Sequence, residues 1–320
     1  MTMANTMPEQ THWSDIGEVG FITGMRLLFW LYRHIGSWAF SLVLQPVVFY
    51  FFLTNTRARN ASRQYLIRLR EYYLQQHSQQ QPPTPTALTV YRHMLSFARA
   101  SVDKLGVWAT PDLPQNVQFP NRPILLEQLE RGGGAILMGA HLGNMEILRC
   151  LSRSNHKLKL NILVHTRHAN MFNRLLRELE IDAELELIEV SELSPATAMH
   201  LSACIKRGEF IAVLADRVPV ASRGRAQPVP FLGYPAPLPE GPFILASLLK
   251  CPVYTVFCTQ TEGGYIVNCD AFAKRIILPR QQRSEALAAY LHQYAAVLEQ
   301  QALHNPLQWF NFYPFWDQSP

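Results

Sequence analysis

From about residue 120 onward, short apolar runs alternate with longer amphipathic stretches, and this alternation restricts the possible folds more than any other feature. "AILMGA" (135–140), "LKLNILVHT" (158–166), "LELIEV" (185–190) and "FIAVLAD" (210–216) are brief and almost continuously apolar. Runs of that kind read as strands buried on both faces. The stretches between them carry helix signals. "ILLEQLERGGG" ends on glycines, which stop a helix. Residues 144–153 and "MFNRLLREL" have helical spacing, and Ser194-Pro195 supplies an N-cap and a first position for a helix to about Arg207. "GPFILASLLK" follows as a helix, then "PVYTVFCTQ" and "YIVNCDAF" as strands. "SEALAAYLHQYAAVLEQQA" closes the pattern with Leu287, Tyr290, Leu291, Tyr294 and Leu298 on one helix face. The expected class is α/β: a central, mostly parallel sheet flanked by helices.

The N-terminal part has a different character. The chain has 320 residues, 48% of them hydrophobic, enough for one large domain or a domain with an appendage. Its net charge of +5 is unevenly placed. No Asp or Glu occurs from Val19 to Arg70, where Arg26, Arg33, Arg57, Arg59, Arg63, Arg68 and Arg70 lie among many aromatic and aliphatic residues. A basic, apolar segment of this sort reads as an element lying on a membrane surface. Positive charge concentrated beside apolar sequence argues against nucleic acid as the partner.

Within this segment Ile35 to Leu53 carries few polar side chains. As a helix it would be about 28 Å long, just short of a hydrocarbon core of about 30 Å. Gln45-Pro46 interrupts it, and proline breaks or kinks a helix. The expectation is a kinked or re-entrant anchor with both ends cytoplasmic, a single span being the alternative. "QQHSQQQPPTPT" is uncharged and rich in Gln and Pro, so it reads as a surface loop. The expected organisation is a membrane-associating helical segment over 1–74, this loop over 75–86 and an α/β domain over 87–320. The first 20 residues lack the apolar core of a secretory signal. The five cysteines show no CxxC spacing, which suits reduced thiols in the cytoplasm.

One stretch carries the chemistry. In "GAHLGNMEIL" (139–148) His141 directly follows an apolar run and Glu146 lies five positions on. In one continuous helix those side chains would be rotated by about 500° and point apart. At a strand–turn–helix junction the spacing makes sense. His141 would sit at the carboxyl end of a strand, where open α/β sheets place ligands. Gly143 would permit the turn, and Glu146 would lie in the first helical turn. The carboxylate would hold one ring nitrogen while the other takes a proton from a hydroxyl. Backbone N–H groups at the helix start, near Asn144, would stabilise an oxyanion. The plainer alternative is a buried histidine and a favourable first-turn acid.

In context, "HLGNMEILR" behind an apolar strand and an arginine-rich N-terminus resembles the lysophospholipid acyltransferase superfamily. It is more closely similar to the branch of lipid A lauroyl/myristoyl acyltransferases. "FIAVLADRVPV", "VPFLGYPAPLPEGPFILASLLKCPVYTVF", "QWFNFYPFW" (308–316) and "QPVVFYFFLT" resemble further blocks of that branch, in the same order. The opening "HWSDIGEVGFITGMRLLFWLYRHIG" looks more like a bacterial subgroup that accompanies fatty-acid-type or aryl-polyene biosynthesis genes.

The resemblance implies His141 as base and Glu146 as its orienter. Arg167, in "HTRHANMFN", would bind a phosphate, a carboxylate or the oxyanion. Asp216 would orient Arg167 or Arg217 or bind polar groups of the acceptor, and it suits a cap or turn equally well. Arg217 stands where the lipid A enzymes usually have Gln. Phe231 and Gly233 would shape the acyl or acceptor pocket. The resemblance also implies a membrane-associated O-acyltransferase at the cytoplasmic face of the bacterial inner membrane. It would take its acyl group from an acyl-carrier-protein or coenzyme A thioester, with a membrane lipid as acceptor and no metal or bound cofactor. A thioesterase or lysophospholipase and a non-catalytic membrane adaptor are the rival readings. "HTRH" at a strand end lacks acidic or cysteine partners nearby for zinc, "RGGGA" is a helix end rather than a phosphate loop, and no GxSxG elbow occurs. The aromatic cluster Trp309, Phe310, Phe312, Tyr313, Phe315 and Trp316 suits a membrane-interface belt or core packing equally.

Overall fold

Side chains alternate between two cores across one sheet, and that arrangement fixes the architecture. In the computed structural model, which describes residues 37–76, 81–109, 116–154, 158–164, 185–189, 194–219 and 225–317, strand β2 (Ile136–Gly139) points Ile136 and Met138 to one side and Leu137 to the other. Strand β5 (Phe210–Leu214) does the same with Ile211 and Val213 against Phe210 and Ala212. Strands with two buried faces must be apolar throughout, which is the pattern seen in the sequence.

The sheet has seven strands in the order β1-β9-β8-β2-β5-β3-β4. The remaining members are β1 (Val117–Gln118), β3 (Leu160–Val164), β4 (Leu185–Glu189), β8 (Val253–Thr261) and β9 (Gly264–Ala273). All neighbouring pairs are parallel except β8 with β9, which form an antiparallel hairpin. A separate hairpin pairs β6 (Ala226–Phe231) with β7 (Tyr234–Pro239), an element absent from the sequence reading because prolines crowd both strands. The expected mostly parallel α/β sheet is therefore present.

Helices α4 (Arg122–Glu130) and α5 (Ile147–Ser154) cover one face through Leu125, Ile147 and Leu148. The other face is covered by α7 (Gly241–Leu249) and α8 (Arg283–His304), with Phe243, Leu245, Leu287, Leu291, Tyr294 and Leu298 buried. Helix α6 (Pro195–Lys206) begins as expected: Ser194 caps it by accepting from the Thr197 amide at 3.1 Å. The helical stretch "MFNRLLREL" lies outside the described residues.

Three further helices precede the sheet: α1 (Ser37–Thr54), α2 (Thr56–Gln76) and α3 (Ala87–Ala109). Helix α2 buries Ala58, Ala61, Ser62, Tyr65, Leu66 and Leu69, an i, i+3, i+4 stripe. Tyr65, Leu66 and Leu69 belong to the main core. Val48 of α1, Ala58 of α2 and Met94 and Leu95 of α3 make a smaller core of their own. Helix α1 continues through Pro46, so the proline does not end the helix there. Arg59 donates to the carbonyls of Phe52 and Leu53 and so closes the end of α1. Among the described residues no helix is long and apolar enough to cross a membrane. The expected spanning or re-entrant anchor therefore has no support in this fold.

Candidate active site

Parallel register sets the central contact of the site. Residues of β2 pair with residues of β5 that lie 75 positions later, Gly139 with Leu214 being the last pair. The same offset carries on beyond the strands, and it sets His141 beside Asp216. His141 donates its main-chain N–H to Asp216 Oδ2 at 3.0 Å, and its Nδ1 lies 2.8 Å from Asp216 Oδ1. Trp309 Nε1 donates to the same Oδ2 at 3.1 Å. The Asp216 side chain is 1% exposed and that of His141 is 32% exposed. One ring edge is therefore held by protein while the rest can meet a substrate. Nε2 has no hydrogen-bond partner among the described residues.

The C-terminal segment straps this corner. Gly143 donates to the Gln308 carbonyl and Phe310 donates to the His141 carbonyl, each at 2.8 Å. Helix α8 ties the end of β2 from below, with Tyr294 Oη donating to the Gly139 carbonyl at 2.7 Å. Gly143 is required. Its φ is +71°, and an added Cβ would lie 2.0 Å from the Cys258 carbonyl oxygen, so only a residue without a side chain fits.

A family model described as bacterial lipid A biosynthesis acyltransferase matches residues 90–318, a span that holds every residue of this corner. The chain belongs to that family. No curated protein matches the chain significantly.

In this acyltransferase the carboxylate on Nδ1 belongs to Asp216, which corrects the expectation that Glu146 holds the ring. Glu146 Oε2 instead lies 3.3 Å from Nε of the buried Arg149, one helical turn on. The reason is the path of the chain. After His141 the backbone is bonded through Gly143 to Gln308 and through Asn144 to Cys258, and Glu146 turns to Arg149. Three of the amides near Asn144 already have partners. The Gly143 amide serves Gln308, the Asn144 amide serves the Cys258 carbonyl at 2.7 Å, and the Glu146 amide serves Asn144 Oδ1 at 3.2 Å. These N–H groups are spent on holding the turn.

Arg217 is brought to the site, where it donates through Nη2 to the Phe310 carbonyl and stacks 5.4 Å from the Tyr313 ring centroid. Gly143 and Asn144 form the turn below His141. Phe231 is buried one layer away, its ring centroid 5.2 Å from that of Trp309. Gly233 sits elsewhere: it occupies the β6–β7 turn with φ +79°, and an added Cβ there would meet only Gln75 Oε1 at 3.7 Å. Arg167 lies outside the described residues.

Electrostatics matches a neutral base beside a fixed anion. Burial works against ionised Asp216, but the attraction and hydrogen bonds of His141, with the nearby Arg217 charge, outweigh it and hold the carboxyl at about 2. Burial of the His141 ring lowers its pKa below the usual histidine value. Asp216 opposes this shift, while Arg217 and Lys104 add to it.

Two contributors escaped the sequence reading. Trp309 was seen there only as part of an aromatic cluster, and His93 was not singled out. The signal for the His141–Asp216 pair was present all the same. "AILMGA" and "FIAVLA" are six-residue apolar runs, followed by His and Asp respectively. Two equal-length strands that neighbour in parallel deliver their next residues to one spot.

Proposed function

We propose that this acyltransferase moves a fatty acyl group from an acyl-carrier-protein or coenzyme A thioester to a hydroxyl of a lipid-like acceptor. The observation that carries the reading is His141 with Nδ1 bonded to buried Asp216 and with part of its ring open to an incoming substrate. Nε2 takes the acceptor proton as its oxygen attacks the thioester carbonyl carbon. Ionised Asp216 stabilises the imidazolium that forms. Arg217, within electrostatic reach of the ring, faces the developing oxyanion. Collapse of the tetrahedral adduct breaks the carbon–sulfur bond, and the imidazolium returns the proton to the departing thiolate. The products are an ester and a free thiol.

The same reading sets the protein on the cytoplasmic face of the bacterial inner membrane. Val47, Phe49, Tyr50, Phe51 and Leu53 of α1 are all exposed, an apolar face suited to lie on lipid while the arginines that follow meet anionic headgroups. The acceptor is then a bilayer component and the thioester arrives from solution.

Incubation of purified protein with labelled acyl thioester and bacterial membranes tests the reaction. Label recovered in lipid supports transfer, whereas label recovered only as free fatty acid makes the protein a hydrolase. Retention of full transfer by His141→Ala would remove the proposed base.

A further inference from the structure

We propose that Trp309 and His93 are positioning residues for His141, acting through Asp216. The inference rests on the reading of His141 as general base. It arises from a continuous run of hydrogen bonds through five elements of the fold. Ser62 Oγ, on α2, lies 2.8 Å from His93 Nδ1, on α3. His93 Nε2 lies 2.9 Å from the Trp309 carbonyl oxygen. Trp309 Nε1 lies 3.1 Å from Asp216 Oδ2, beyond the end of β5, and Asp216 Oδ1 lies 2.8 Å from His141 Nδ1, beyond the end of β2.

Each proton in this run has one possible place. A carbonyl oxygen can only accept, so His93 Nε2 carries a hydrogen. Burial keeps the His93 ring neutral by pulling its pKa down to about 4, so Nδ1 is an acceptor and the Ser62 hydroxyl donates to it. An indole nitrogen can only donate, and a carboxylate can only accept. Asp216 Oδ2 therefore takes the Trp309 N–H and the His141 main-chain N–H, and Oδ1 remains for the ring. That leaves His141 with its hydrogen on Nδ1 and its lone pair on Nε2, the tautomer a general base needs.

The carboxylate is pinned because two donors share Oδ2, and the indole that supplies one of them is itself fixed. Trp309 is 1% exposed and packs edge-on against Tyr65, Phe231 and Phe315 at centroid distances of 4.9, 5.2 and 5.0 Å. Its neighbours Gln308 and Phe310 are bonded to Gly143 and His141. The helical layer ahead of the sheet thus holds, through a single indole, the carboxylate that sets the tautomer of the base.

The test uses four variants of the full chain, one of them only to assign a spectrum. Trp309→Phe keeps an aromatic ring and deletes the donor. His93→Phe keeps ring bulk and deletes the bond to the Trp309 carbonyl, whereas His93→Gln returns an N–H donor. Nitrogen NMR of the His141 ring, assigned by difference with His141→Gln, reads the tautomer without any substrate. Steady-state kinetics with an acyl thioester reads kcat and KM separately. Trp309→Phe and His93→Phe should each reduce the Nδ1–H form and lower kcat about ten- to a hundredfold with KM within about twofold, as small misplacements do. His93→Gln should recover most of both. Folded Trp309→Phe and His93→Phe proteins with the wild-type tautomer and kcat would overturn the proposal. If the tautomer responds but the wild-type protein turns over no thioester, the positioning stands and the assignment of the reaction fails. Should Trp309→Phe not fold, the His93 pair carries the test.

Discussion

His141 Nδ1 lies 2.8 Å from Asp216 Oδ1 although 75 residues separate them, because each lies two positions beyond one of two adjacent parallel strands in register. The pair gives the first prediction. Asp216→Asn keeps the shape but offers a neutral amide where an anion stood, so both the tautomer and the support for the imidazolium suffer. The expected loss in kcat is about 10²–10⁴-fold, the range of a general base, with little change in KM. Steady-state kinetics on the labelled thioester checks it, and a loss confined to KM would move Asp216 to acceptor binding.

The His141 pKa sets the acid limb of the rate profile. Burial of the ring lowers that pKa, so the lone pair is free at neutral pH. The kcat/KM should rise with pH through a midpoint below the ordinary histidine value of about 6.5 and be level by neutrality. A midpoint above that value would contradict the electrostatics of the site.

Glu146 should matter more for stability than for proton transfer. Its partner Arg149 is 1% exposed, and taking a carboxylate away from a buried guanidinium is costly. Glu146→Ala is expected to lose roughly 3 kcal/mol, the low end for breaking a buried pair. Its kcat should fall far less than that of Asp216→Asn. Denaturant titration and kinetics on the same preparations separate the two effects, and equal kcat losses in both variants would restore Glu146 to the catalytic pair.

His93 is buried and its pKa is held at about 4. In the unfolded chain it would take up a proton near 6.5. Between those values the unfolded state binds more protons, so stability rises with pH. The contribution is fully present above 6.5 and is lost as pH falls toward 4, up to roughly 3 kcal/mol in all. His93→Gln should flatten the Tm-against-pH curve across that window, and an unchanged slope would show that other groups set it.

The exposed apolar face of α1 predicts a surface effect. Phe49 and Phe51 are 53% and 50% exposed, so replacing both with Ser should leave Tm nearly unchanged. The partition constant for anionic vesicles, read by sedimentation, should fall at least tenfold, since each half-exposed aromatic side chain withdrawn from lipid forfeits roughly half of the about 1.5–3 kcal/mol of full burial. Undiminished sedimentation would place the lipid contact elsewhere in the chain.

The sequence by itself determined the strands, the helices and their class. Burial on both faces demands continuous apolar runs, as in Ile136–Gly139 and Phe210–Leu214, and helix ends such as Ser194-Pro195 are set by local hydrogen bonding. It also set the turn at Gly143, where no side chain fits against Cys258, and the placing of His141 at a strand's carboxyl end. Tertiary structure alone decided which carboxylate serves that histidine. Glu146 is near in sequence, but the turn is bonded to Gln308 and Cys258 and Glu146 faces Arg149. Asp216 is far in sequence and is brought alongside by the pairing of β2 with β5. Strand order and the return of the C-terminal segment are long-range choices among many apolar surfaces, and no local spacing encodes them. Those same choices bring Trp309 and His93 to the site.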